Sequence, residues 1–262
     1  MESIGSTRLF LFLYCLSCLS ALTIVVLLGV WLVSFRGGFA WQSDIAHEFN
    51  WHPLLMTLGL IVLYGNGMVV YRLMRYQRKK KLKLIHASMM ILAFIFAVIG
   101  LKAVFDSHNL KDPPVPNLYS LHSWVGITAV ILFSMQWIFG FTSFLFPGVT
   151  QPLRVAYLPI HVYFGVAIFI LATAASLMGL LEKAIFSLKD NYSTSSEGIL
   201  MNCIGMMIVI FGFLTTMLVT KPQWRRQVVP EDELLLGDRL SEEDNEKLLT
   251  DSATERPAVT TD

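Results

Sequence analysis

Six apolar runs constrain this chain more than any other feature. They lie near residues 9–34, 52–73, 84–105, 119–141, 155–180 and 199–220. Each is close to the roughly 20 residues that an α-helix needs to cross the hydrocarbon core of a bilayer. With 55% apolar and only 15% charged residues, the chain is too poor in polar groups to cover a soluble domain of this length. The expected fold is an all-α membrane protein, a bundle of six transmembrane helices. The first run is too long for a signal-peptide core and lacks a cleavage site, so it reads as a retained helix.

The organisation that follows has three parts. Residues 1–8 form a short N-terminus, residues 9–226 the six-helix domain, and residues 227–262 an acidic, polar tail with little to bury, expected to be disordered. The densest cluster of positive charge is the loop after the second run, with Arg72, Arg75, Arg78, Lys79, Lys80, Lys81 and Lys83. Cytoplasmic loops carry the excess of Lys and Arg, so this loop and both termini are expected in the cytoplasm. The sequon Asn191-Tyr192-Ser193 then falls on the opposite side, where glycosylation is possible. In the tail, Glu231 precedes Leu235-Leu236 and Asp244 precedes Leu248-Leu249, each by four residues. That is an acidic dileucine sorting pattern, although acidic tails also contain leucines by chance. It points to the plasma membrane or an endolysosomal membrane. The net charge of +1 says nothing about nucleic acid, and without a basic motif to bind it none is expected as a partner. Cys15, Cys18 and Cys203 all lie in apolar runs without a CxxC pair, and read as helix side chains.

The histidines are more informative. Four of the six stand near the start of an expected helix: His52 in WHPLLM, His86 in LIHASM, His122 in SLHSWVG and His161 in PIHVYFG. Ionisable side chains inside membrane helices are costly and point to function. Helices two and four enter from the same side, which sets His52 and His122 at similar depth. Helices three and five enter from the other side, which does the same for His86 and His161. Bundles build cofactor sites from side chains on facing helices. Structural zinc takes four protein ligands and catalytic zinc usually three, whereas a six-coordinate haem iron needs only two axial imidazoles. Two haems, one near each face, are therefore expected. A proton relay would call for intramembrane carboxylates, which the helix interiors lack. A haem-free, histidine-lined transporter or metal channel is the alternative of a different class.

Several motifs then resemble one family in the same order. They are FRGGFAW, FNWHPLLM, VYRL, IHASMM, AVFDSHN, NLYSLHSWVG, PIHVYFG, EKAIFSLKD and KPQWRR, spread over residues 30–226. The chain resembles the cytochrome b561 family of transmembrane, ascorbate-dependent reductases. Within it the plasma-membrane ferric-reductase branch is the nearest likeness, and chromaffin-vesicle and lysosomal members share much of the pattern. The resemblance implies a four-helix haem-binding core from helices two to five and two haem b groups as cofactors. Cytoplasmic ascorbate would give an electron to the haem of His86 and His161, and the haem of His52 and His122 would pass it to ferric iron, cupric ion or monodehydroascorbate outside. The resemblance further implies propionate partners at Arg72 and Lys79 and ascorbate contacts at Lys79, Lys83 and Arg154. It implies an outer haem wall at Asn117, Leu118, Tyr119, Ser120 and Glu182, and an outer substrate site at His108 and Phe186. It also implies a homodimer.

Charge supports a basic rim for an anionic donor, while the positive-inside signal accounts for Lys80, Lys81, Arg75 and Arg78. His108 reads as a loop imidazole beside Asp106, either a metal contact or a solvated side chain. His47 reads as a loop residue. The loop segment DPPVP and the lysine-rich basic loop depart from the family pattern and bear on acceptor preference and ascorbate affinity. Gly126 and Gly165 each follow a histidine by four positions. On one helix face, they clear room either for a flat ring or for a neighbouring helix.

Overall fold

The structure is a computed structural model that describes residues 4–226. The apolar runs are its long helices, and six of them are long and apolar enough to cross a membrane: α1 (Ile4–Phe35), α2 (Ile45–Leu73), α3 (Lys79–Asn109), α4 (Leu121–Phe144), α5 (Gln151–Asn191) and α6 (Ser196–Thr220). Their outer faces carry large bare apolar side chains, such as Phe12, Trp124, Tyr163 and Phe213, each 65% exposed or more. A water-facing surface does not tolerate such density, and a lipid-facing one requires it. The chain is an all-α integral membrane protein.

The helices are longer than the apolar runs because their polar ends continue past the hydrocarbon. α1 begins at Ile4 rather than near residue 9, α3 continues to Asn109, and the α-helical part of α5 runs to Leu188. His108 is thus in the last turn of α3, not in a loop. His47 also departs from expectation. It lies in the short helix Ile45–Glu48, capped by Asp44, whose carboxylate accepts from the His47 and Ala46 N–H groups and contacts His47 Nδ1 at 2.6 Å. That contact holds the Asp44 carboxyl below its ordinary range.

α2 packs along α3 and α4 along α5, while α3 also touches α4 and α2 touches α5. These four helices close a core. α1 packs along α6, and α6 leans on α5 and α2, so the outermost helices form a buttress on one flank. Buried Ser17 and Thr215 hydroxyls meet across α1 and α6 at 3.5 Å. At the basic end, Ser6 accepts from the Trp224 ring N–H at 3.1 Å and Phe10 meets the Trp224 ring edge-on, which pins the chain after α6 to α1.

The connection from α1 to α2 turns at Gly37 and Gly38, both with positive φ, which favours glycine. Asn50 then donates to the Arg36 and Gly38 carbonyls at 3.0 and 2.6 Å, and the Trp51 ring N–H donates to Ala40 O at 2.9 Å. The aromatic and amide residues of FNWH thereby fix the loop against the start of the helix that carries His52. One turn beyond that histidine, Thr57–Leu63 is wound as a π-helix, a widening frequent near functional sites.

Candidate haem sites

The four helix histidines meet in two pairs. The His52 and His122 ring centroids lie 6.1 Å apart with planes at 81°. Those of His86 and His161 lie 6.3 Å apart at 72°. Two imidazoles on opposite sides of one iron, each bound at about 2 Å, would have centroids about 6 Å apart. Among the described residues no group of three or more His, Cys, Asp or Glu is placed to hold a metal ion. A bare ion would find only two protein ligands at each pair, whereas haem iron needs no more than two.

The tautomers suit ligation as well. Nδ1 of His52 donates to Gly100 O at 3.1 Å, that of His86 to Gly67 O at 2.8 Å, and that of His122 to Ala175 O at 2.8 Å. A ring whose Nδ1–H is given to a carbonyl presents a bare Nε2 to a metal. Each acceptor belongs to the neighbouring helix, so α2 and α3 seat each other's histidine. α4 and α5 do the same by close approach. A Cβ on Gly179 of α5 would stand 2.6 Å from His122 Cε1, and one on Gly140 of α4 would stand 2.7 Å from His161 Cε1. None of these four glycines, Gly67, Gly100, Gly140 and Gly179, shares a helix with the histidine it serves, so spacing along one helix does not reveal them. Their signal is a glycine embedded in an apolar helix, without any spacing that ties it to its histidine. The two glycines that follow a histidine on its own helix differ. Gly126 lines the cavity, with only Ala175 Cβ near at 3.9 Å. A Cβ on Gly165 would have only Gln136 Nε2 near, at 3.5 Å, and the Gly165 carbonyl accepts the Tyr64 hydroxyl at 2.8 Å.

Around His52 and His122 is a cavity of about 840 Å³, within the usual range for a bound organic group. Asn117, Leu118, Tyr119, Ser120, His108, Glu182 and Phe186 all line it. Ser120 is central. It caps α4 in a reciprocal box with Ser123, accepting from the Ser123 N–H at 3.2 Å, and its hydroxyl donates to Glu182 at 2.9 Å. The cap places His122 in the first turn. His108 Nδ1 meets Asn117 Oδ1 at 3.0 Å, and Asn117 donates to Asn109 at 2.7 Å. Asp106 faces elsewhere, accepting from Lys102 and from Gln42, so His108 and Asp106 do not form a joint site. Burial and the Glu182 carboxylate raise the Tyr119 phenol above its ordinary value.

At the other end the surroundings are aromatic and basic. Tyr71 lies 5.7 Å from His86, and Phe144 and Tyr157 lie 5.3 and 5.9 Å from His161, with those two rings stacked. Gln136 donates to His161 O at 2.5 Å. Lys83 donates to Phe144 O at 2.9 Å, and Arg154 donates twice to Val149 O, at 2.7 and 3.0 Å. Arg72 donates to the carbonyls of Val219 and Lys221 at the end of α6. Lys79 opens α3, its side chain exposed.

Fold and geometry together define a membrane-spanning four-helix core, buttressed by two further helices, with a paired-imidazole site suited to haem near each end. The profile of the eukaryotic cytochrome b561 family matches residues 51–187, a span that holds all four histidines. The transmembrane ascorbate-dependent reductase CYB561 of Sus scrofa is 44% identical over 85% of this chain and 87% of its own length. That of Homo sapiens is 43% identical over the same shares. The plasma membrane ascorbate-dependent reductase CYBRD1 of Xenopus tropicalis is 45% identical over 77% of this chain and 72% of its own. The chain belongs to the cytochrome b561 family, whose members carry b-type haem, and it is an oxidoreductase.

Proposed function

We propose that the protein carries single electrons across the bilayer, from ascorbate at the basic face to an acceptor at the opposite face. Two haem b groups, one held by His86 and His161 and one by His52 and His122, supply the one-electron chemistry when bound. The observation that carries this reading is the repetition of one geometry at both ends of the core: two facing imidazoles at the spacing of axial ligands. The names of the relatives support ascorbate as donor.

In this reading each chain group has a definite task. The neighbouring-helix carbonyls hold three of the four rings with Nε2 free, and the glycines let the rings approach. Arg72 and Lys79 hold propionates at the basic end, and Lys79, Lys83 and Arg154 bind the ascorbate anion. Lys83 and Arg154 now bond backbone carbonyls, which keeps their charges at that face. Asn117, Leu118, Tyr119, Ser120 and Glu182 wall the outer haem, while His108 and Phe186 meet the acceptor. Ferric iron is the foremost acceptor, with cupric ion or monodehydroascorbate beside it. The basic face is cytoplasmic by its lysines and arginines, and Asn191, exposed at the end of α5, is a glycosylation site on the other side. A homodimer in the plasma or endolysosomal membrane completes the proposal. The dileucine pairs at Leu235-Leu236 and Leu248-Leu249 lie outside the described residues.

The test is spectroscopic. Protein purified from haem-replete cells should contain two haems per chain by pyridine haemochrome assay and develop the absorption bands of reduced haem b on addition of ascorbate. A colourless preparation refutes the reading.

A further inference from the structure

The outer cavity holds two cations that haem ligation does not use. Lys111 and Lys183 both line it, and among the described residues neither enters an ion pair. Lys183, on α5, is half-buried, its ammonium 3.9 Å from the centroid of the Phe49 ring. An aromatic face stabilises a cation only modestly, and the charges near Lys183 are mostly of its own sign: Arg36 and Lys111, against Glu197. Glu197 is already engaged, paired with Arg36 and accepting the Trp31 ring N–H at 2.8 Å. The lining has two acids. Glu182, one residue before Lys183, is turned about 100° around the helix and accepts from Ser120. Asp112 stands on the loop beside Lys111. Lys183 is therefore a half-buried ammonium over an aromatic ring, in no ion pair among the described residues although acids stand nearby. Phe186, three residues on from Lys183, lies on the same helix face and lines the same cavity.

We infer that Lys183, assisted by Lys111, docks an anionic electron acceptor and discriminates against free cations. The acceptor class is a small anion able to take one electron: an enediolate radical, or ferric iron delivered within an anionic chelate rather than as the bare ion. Acceptance is a simple outer-sphere gain of one electron, with no bond made or broken. The inference rests on the electron-transfer reading above. It makes the charge of the carrier, not the metal alone, the selected property. An unpaired ammonium at the docking position attracts an anion and repels a cation locally.

The test uses the haem-loaded protein in nanodiscs of neutral lipid at low ionic strength. Its two oxidants are ferricyanide, a trianion, and hexaammineruthenium(III), a trication. A binding arm titrates hexacyanocobaltate(III), a redox-inert trianion, by calorimetry. Lys183→Gln should weaken hexacyanocobaltate binding and slow ferricyanide reduction by about three- to tenfold while making hexaammineruthenium(III) faster. Lys111→Gln, at an exposed position, should act in the same directions more weakly, and both effects should fade at high salt. Ferric citrate and monodehydroascorbate assayed in parallel separate the two anion sources. Unchanged anion binding in both variants overturns the inference. So does slowing of both oxidants alike, which would mark Lys183 as a partner of the haem or of the fold. A wild-type protein that reduces neither oxidant sinks the electron-transfer reading instead.

Discussion

The two ends of the core seat their histidines by the same device and differ in nearly everything around them. At the His52–His122 end, Ser120 caps a helix, Glu182 and Asn117 form hydrogen bonds across loops, and the walls leave a cavity of about 840 Å³. At the His86–His161 end, Tyr71, Phe144 and Tyr157 crowd the rings, and Lys83 and Arg154 sit on backbone carbonyls. On the proposed reading, the shared part answers a flat cofactor held by two imidazoles. The differing part answers each partner: a basic rim for an anionic donor at one end, a mixed polar mouth for an acceptor at the other. Ligation is thus a property of the helices, and selectivity a property of the helix ends and loops.

The largest expected effect comes from removing a ligand. His122→Leu should halve the haem content, leave the other site able to accept electrons from ascorbate, and cut transfer across the membrane by about a hundredfold or more. His86→Leu should also halve the content but abolish fast reduction by ascorbate. Rapid-mixing absorbance distinguishes the two, and equal behaviour of the two variants would erase the distinction between the ends.

Next are the seats. Gly179→Ala sets a methyl 2.6 Å from His122 Cε1, so ring or helix must shift, at about 1–3 kcal/mol. Gly140→Ala does the same to His161. Each should disturb one low-spin haem signal in electron paramagnetic resonance and spare the other. Gly126→Ala, which meets only Ala175 Cβ at 3.9 Å without cofactor, should leave the apoprotein's thermal stability unchanged and lower haem retention. A variant that keeps full haem would make Gly126 a helix-packing residue.

The rims come after. Arg154→Gln should raise the KM for ascorbate by about three- to tenfold without altering the haem spectrum, because its charge lies in the rim and not in the seat. A changed spectrum would join rim and seat into one element. Smallest is Ser120→Ala, which removes an N-cap and the donor to Glu182. A loss of about 1 kcal/mol should appear as a lowered Tm, with haem changes confined to the outer site.

Helix number and the four histidines that pair were legible because both are local: hydropathy marks the apolar middle of each helix, and a histidine inside it stands out. Helix ends were less legible. Polar residues continue a helix past the bilayer without an apolar signature, so His108 read as a loop residue although α3 carries it, and His47 likewise although a short capped helix holds it. The seats were not legible at all. The glycine that admits His122 is Gly179, fifty-seven positions away on another helix, and only packing brings them together. Nor does the residue pattern show the π-helical turn after His52 or the lone charge of Lys183, since both depend on which partners neighbouring segments supply.

The central claim is that the two sites form one path across the membrane. It is tested most directly in sealed vesicles of oriented protein, loaded with ascorbate at the basic face, with an anionic ferric chelate on the opposite side and a membrane-impermeant ferrous indicator. Ferrous product outside, dependent on both His86 and His122 and absent from vesicles loaded without ascorbate, is the predicted result. Reduction that survives loss of either histidine, or none from a preparation with both haems in place, would contradict it.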